Sequence, residues 1–151
     1  MIRFQYKAIN SIEDARLLLQ MAIAVEFSTL PPYLYGLYSI LPGTNAEASG
    51  RIKAVALQEM IHMCLGCNML NALGGNPVVT APTYPGPLPG DIGSGGQVFT
   101  VHLLPFSKES MAQGMQIEEP EDGPIVFPEA KVGLAEPTLM RNGQLNRALQ
   151  P

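Results

Sequence analysis

The hydrophobic pattern of this chain changes character near its midpoint. From Ser11 to Leu73 apolar residues recur at helical spacing, and beyond Gly74-Gly75 they are broken up by proline and glycine. Ser11 followed by Asp14 suits a helix start, a hydroxyl cap with an acid at the third helical position. Ala15, Leu19, Ala22, Ile23, Glu26 and Leu30 then fall on one face, with Glu13, Asp14, Arg16 and Gln20 on the outer side. Pro31-Pro32 predicts a kink or break, because proline lacks a donor and clashes with the preceding turn. Tyr33 to Ile40 predicts a short resumed helix that Pro42-Gly43 ends. The capping-box pattern of Thr44 and Glu47 places the start of a second long helix near Asn45, and Gly74-Gly75 supplies its stop. On that helix Ile52, Val55, Ala56, Glu59, His62, Met63, Gly66, Leu70 and Leu73 share a face. Its later part is apolar nearly all round, which predicts a central helix covered on several sides.

The second half reads differently. Asn76 to Gly96 is too rich in proline and glycine for a regular element and carries few charges, so it predicts an ordered loop lying over the helices. Val98 to Leu104 alternates weakly and predicts a short strand or extended segment. Ser107 to Gln116 predicts a short helix capped by Ser107. Glu118 to Pro128 reads as loop, and the tail from Val132 to Pro151 has no strong periodicity. The expectation is therefore a mainly α fold in a single domain, 1–151: a helical hairpin over 1–75, ordered loops with short elements over 76–131, and a truncated or atypical tail over 132–151.

Composition narrows the class. With 151 residues, 46% of them apolar and 15% charged, the chain is globular and long enough for one core. A net charge of −4 with no basic cluster argues against nucleic acid and anionic membrane surfaces as partners. Met1 to Ser11 has no signal-type apolar run, and no stretch reads as long and uncharged enough to span a bilayer, so the expected location is cytoplasmic. Cys64 and Cys67 form a C-x-x-C in mid-helix, where neither a thioredoxin-like site nor a disulfide framework is expected, and they read as small buried apolar residues. Met21, Met60, Met63 and Met69 read as core filling.

Three polar side chains interrupt the apolar stripes: Glu26, Glu59 and His62. Glu59 and His62 stand about one turn apart, the Glu-x-x-His unit with which helical bundles hold paired transition metals. A carboxylate on a core-facing stripe must be paired, protonated or metal-bound, because an isolated buried charge is very costly. Carboxylate with imidazole suits iron, manganese or zinc. The competing reading is a surface pair or a satisfied core histidine, which this spacing often means. A complete di-metal bundle takes a Glu from each of two helices and a Glu-x-x-His from each of two others, so this chain shows half a site. His102, the other histidine, reads as solvent-facing. Tyr33, Tyr35 and Tyr38 suit either a pocket beside Glu26 or a helix interface. No Ser-His-Asp arrangement, phosphate-cradling loop or dinucleotide fingerprint is present.

Longer motifs point to a family. Glu26 to Leu34 (EFSTLPPYL), Leu37 to Ile40 (LYSI) and Val55 to Met63 (VALQEMIHM) resemble the ferritin-like domain of the iminophenyl-pyruvate dimer synthase type. Asn68 to Pro77, Thr83 to Pro89, Leu104 to Ser107 and Ile117 to Pro120 continue the likeness, which covers roughly Ala15 to Pro128. The resemblance implies a ferritin-like helical bundle, a di-iron or di-manganese centre, and kinship with enzymes that couple imine units oxidatively in bisindole pathways. It implies Glu26 as the first-helix ligand and Glu59 with His62 as the second-helix pair. The sequence departs from the family at Phe27, where His is frequent, and at Gln58, where a second Glu is frequent. The helices that bring the other half of the site have no match in Leu134 to Pro151. The expected partners are a small-molecule substrate and a second copy of the chain, whose two-fold symmetry doubles each ligand. The alternative expectation is a non-catalytic structural or assembly module without metal, in which Glu26 and His62 bond to each other.

Overall fold

A computed structural model of the chain describes residues 8–91 and 97–119. The expected tail over 132–151 and most of the loop from Glu118 to Pro128 lie outside these residues. Along the chain come α1 (Ile12–Tyr38), α2 (Ala46–Ala72), β1 (Gly86–Pro87), β2 (Thr100–Val101) and α3 (Lys108–Ile117). The fold is mainly helical, as expected, with α1 and α2 forming an antiparallel hairpin and the rest strapped across it.

The start of α1 follows its sequence signal. Ser11 Oγ accepts from the Asp14 N–H at 3.0 Å, and Asp14 Oδ2 accepts from the Asn10 N–H at 3.1 Å. The expected break at Pro31-Pro32 does not occur, and α1 runs through both prolines. Part of the reason lies far away in sequence. Pro32 has no N–H to offer the Ser28 carbonyl, and the Tyr84 hydroxyl donates to that carbonyl instead.

The start of α2 departs from the expected capping box. Asn45 adopts a left-handed conformation (φ 48°), which asparagine tolerates, and makes no side-chain cap. The Thr44 hydroxyl is spent on the Leu41 carbonyl at 2.7 Å. The C-terminal stop forms as read: Gly74 takes φ 74°, and the N–H groups of Gly74 and Gly75 donate to the Asn71 and Leu70 carbonyls, each at 2.9 Å. Arg16, expected on the outer side of α1, instead donates from Nε (2.9 Å) and Nη2 (2.6 Å) to the Leu73 carbonyl, placing a cation at the negative end of α2.

Ile23, Leu30, Ile52, Ala56 and Leu70 are the buried apolar residues of the hairpin. Gly66 permits the closest approach, since a Cβ there would lie 3.0 Å from Ile23 Cγ1. The loop after α2 lies over the helices, as expected. Gln20, also expected on the outer side, pairs with both backbone groups of Val78, at 2.7 and 2.9 Å. Within the stretch expected to lack regular structure, Gly86 and Pro87 pair antiparallel with Val101 and Thr100. This small ribbon buries Leu88 and Val101. Gln113 of α3 satisfies the N–H and C=O of His102, at 2.8 and 2.9 Å, while His102 itself is exposed as expected. The N-terminal cap of α3 is Ser107, as read, with Ser110 reciprocating.

Other expectations are overturned. The later part of α2 is not covered on several sides: Leu57 (48% exposed), Ile61 (57%), Leu65 (53%) and Met69 (56%) face outward. Cys64 is exposed and Cys67 half-buried, because the C-x-x-C lies toward this open side rather than in the core. Met69 is likewise not core, and Ala22 of the expected α1 stripe is exposed. α1 is, by length and composition alone, apolar enough to cross a membrane, contrary to the sequence reading. Its Ile23–Leu30 face is packed on α2, and core helices of soluble proteins have the same composition.

Candidate metal centre

Glu26 lies in the middle of α1, and Glu59 and His62 in the middle of α2, so the hairpin sets the three side chains opposite one another. His62 Nδ1 is 3.6 Å from Glu26 Oε2 and 3.6 Å from Glu59 Oε1. Neither distance is a hydrogen bond. One donor atom from each residue lies within 4.8 Å of the others. Around a first-row ion with bonds of about 2.0–2.2 Å, adjacent donors stand about 3 Å apart, so a small contraction brings these three onto one ion. The sequence expectation that Glu26, Glu59 and His62 converge is met.

The three are not equally sheltered. Glu59 is buried at 9% exposure, Glu26 is partly buried, and His62 is open to solvent on one side. Burial, a hydrogen bond shared with Glu59 and the negative charges of Glu59 and Glu118 push the Glu26 carboxyl up to about 8. A carboxyl whose proton is retained by burial and by a neighbouring acid is a natural cation site, because an ion replaces the proton and cancels the repulsion. Thr29 Oγ1 lies 2.9 Å from Glu59 Oε2 and 2.8 Å from the Glu26 carbonyl. Its single proton serves one acceptor at a time, and it fixes the buried carboxylate in place.

These groups line a cavity of about 260 Å³ that Val25, Leu88, Ile117 and Glu118 complete. A larger cavity, about 550 Å³, lies toward the turn of the hairpin around Leu37, Tyr38 and Met60 and contains none of this chemistry. Tyr33 belongs to the centre: its Oη donates to Glu118 Oε1 at 2.5 Å, and burial with that bond raises its pKa above the usual range. Tyr35 and Tyr38 point elsewhere and are exposed. Thr29 and Glu118 were not singled out for chemistry in the sequence. Thr29 looks like any small helical residue, and Glu118 stands among other acids in a loop-like stretch.

A family model described as Ferritin-like matches residues 19–147. The chain belongs to the Ferritin-like family. The match contains Glu26, Glu59 and His62 and runs on past Pro128, where the motif likeness ended. No curated protein and no solved structure matches the chain at a significant level. The residues present fit the metals associated with this family in their chemistry: two carboxylates and an imidazole are an oxygen-rich, thiolate-free set suited to iron or manganese.

Proposed function

We propose that this ferritin-like domain holds iron or manganese through Glu26, Glu59 and His62, as part of an oxidoreductase-type protein akin to the iminophenyl-pyruvate dimer synthases. The observation that carries the proposal is the single His62 nitrogen equidistant, at 3.6 Å, from two carboxyl groups brought together by α1 and α2. Such an ion supplies redox chemistry, the activation of dioxygen or peroxide. The chain's own part is to exclude water with Leu88 and Ile117, to hold Glu59 through Thr29, and to give up the Glu26 proton when the ion enters. A neighbouring apolar cavity of about 190 Å³, lined by Tyr33, Ile52, Val55, Met111 and Met115, shares Glu118 with the metal cavity and suits a small-molecule substrate.

The proposal extends to a cytoplasmic homodimer. Leu65 and Met69 continue, at i+3 and i+7, the helical row in which His62 stands, so a second copy seated on this row also covers the open side of His62. Two copies supply four long helices and two Glu-plus-Glu-x-x-His sets, the complement of a di-metal bundle.

Elemental analysis of protein purified without chelator tests the central claim. We expect about one iron or manganese per chain, lost in Glu59→Ala. Absence of stoichiometric metal after anaerobic loading with ferrous iron would overturn it. A second reading, a metal-free structural module, draws support from the raised Glu26 pKa, since a protonated Glu26 carries no buried charge. It no longer draws on a Glu26–His62 hydrogen bond, which 3.6 Å is too long to be. That reading expects Glu26→Gln to be neutral or stabilising with or without metal in the buffer.

A further inference from the structure

We infer that Glu118 is a fourth protein donor to the ion held by Glu26, Glu59 and His62, and that Tyr33 is the positioning residue that orients it; the inference rests on the metal-centre proposal above. Glu118 is the residue at which α3 ends, and its side chain lines the same cavity as the other three; it is exposed and stands outside the cluster whose donor atoms lie within 4.8 Å of one another, so binding requires its carboxylate to close onto the ion. It reaches the cavity from a third element, where α1 and α2 supply the rest. Its placement is enforced by packing. Tyr33 of α1 lies against Gly114 of α3, where a Cβ would stand 3.4 Å from Tyr33 Cε1, and the same ring carries the hydroxyl that bonds Glu118 Oε1 at 2.5 Å. Among the described residues Oε2 takes no hydrogen bond. One carboxylate oxygen is therefore fixed by a tyrosine while the other is left for a cation, the arrangement by which outer partners set the direction of a metal-binding carboxylate.

The charges agree. Two carboxylates and a neutral imidazole neutralise a divalent ion but occupy three positions, and a third carboxylate raises the protein donors to four with an oxygen ligand suited to iron or manganese. The rival account is a solvent-facing glutamate that merely tethers α3 to α1 through Tyr33.

Anaerobic titration of the full chain with cobalt(II), followed by calorimetry and by visible absorption, separates the two. Glu118→Gln is expected to weaken cobalt binding at least about tenfold and to change the absorption bands, with the far-ultraviolet circular dichroism unchanged. Tyr33→Phe keeps the ring on Gly114 and is expected to weaken binding by less. The double variant is expected to bind no more weakly than Glu118→Gln alone, because Tyr33 acts through Glu118. Wild-type affinity and spectrum in Glu118→Gln, with binding abolished in Glu59→Ala, would overturn the role of Glu118 and leave the three-residue centre standing. Additive losses in the double variant would overturn the role of Tyr33. A wild-type chain that takes up no cobalt would overturn the metal centre itself, and the fourth ligand with it.

Discussion

The two sides of α2 make an instructive pair. Both are apolar. The inner side, with Ile52, Ala56, Glu59 and Leu70, is buried against α1 and carries a carboxylate. The outer side, with Leu57, Ile61, Leu65 and Met69 among Gln58, His62 and Asn68, is open. A carboxylate is on the covered face and four large apolar side chains are on the exposed one, the reverse of the usual inference from hydrophobicity. The difference shows that a functional group can be sheltered at the expense of apolar burial, and that an open apolar row beside it invites another surface.

The contrast can be broken in several ways, the largest first. Ile23 is 1% exposed and sits against Gly66, so Ile23→Ala is expected to cost about 2–5 kcal/mol in denaturant melts. Leu65→Ala on the outer side should cost far less at concentrations where the chain is monomeric; equal costs would abolish the distinction. Gly66→Val drives a branched side chain into Ile23 and is expected to lose about 1–3 kcal/mol by the same measurement. A Gly66→Val chain as stable as wild type would mean that the helices separate there at no cost.

The inner face should also respond to pH. The Glu26 carboxyl is pushed up to about 8, whereas its ordinary value is 4.5. Between those values the folded metal-free chain keeps a proton that the unfolded chain has released. The stability that this group contributes is therefore full below about pH 4.5 and declines as pH rises toward about 8. Urea melts across that window should show the decline, and Glu26→Gln should flatten it. Bound metal, which takes the place of the proton, should reverse the slope. A metal-free stability that rises through the window would refute the raised Glu26 pKa.

The smallest effect on stability is expected on the outer side, and it sharpens the comparison most. Leu65→Lys should change the stability of the monomer by no more than about 0.5 kcal/mol. In sedimentation it should abolish the dimer proposed above. A dimer that survives the substitution would move the interface elsewhere.

The legibility of the site followed the range of its contacts. Glu26, Glu59 and His62 were readable because each breaks an apolar stripe at a helical position, and a stripe is a local signal. Thr29, Tyr33 and Glu118 were not readable as a set. Glu118 reaches the cavity only because α3 ends there, and Tyr33 meets it from 85 positions away in the chain. Cys64 and Met69 were misjudged for a related reason: on a helix apolar nearly all round, composition does not say which side meets the partner.

By itself the sequence determined the two long helices, the Ser11 and Ser107 caps, the Gly74 stop and the Glu-x-x-His unit, because periodicity, capping and left-handed glycine act over a few residues. The tertiary structure alone decided that α1 passes through Pro31-Pro32, where Tyr84 takes the freed Ser28 carbonyl. It alone decided that Arg16 caps α2, that the outer row stays open, and that Glu118 joins the carboxylates. These depend on which surfaces meet, and that is set by close packing around Ile23 and Gly66 rather than by any local preference of the chain.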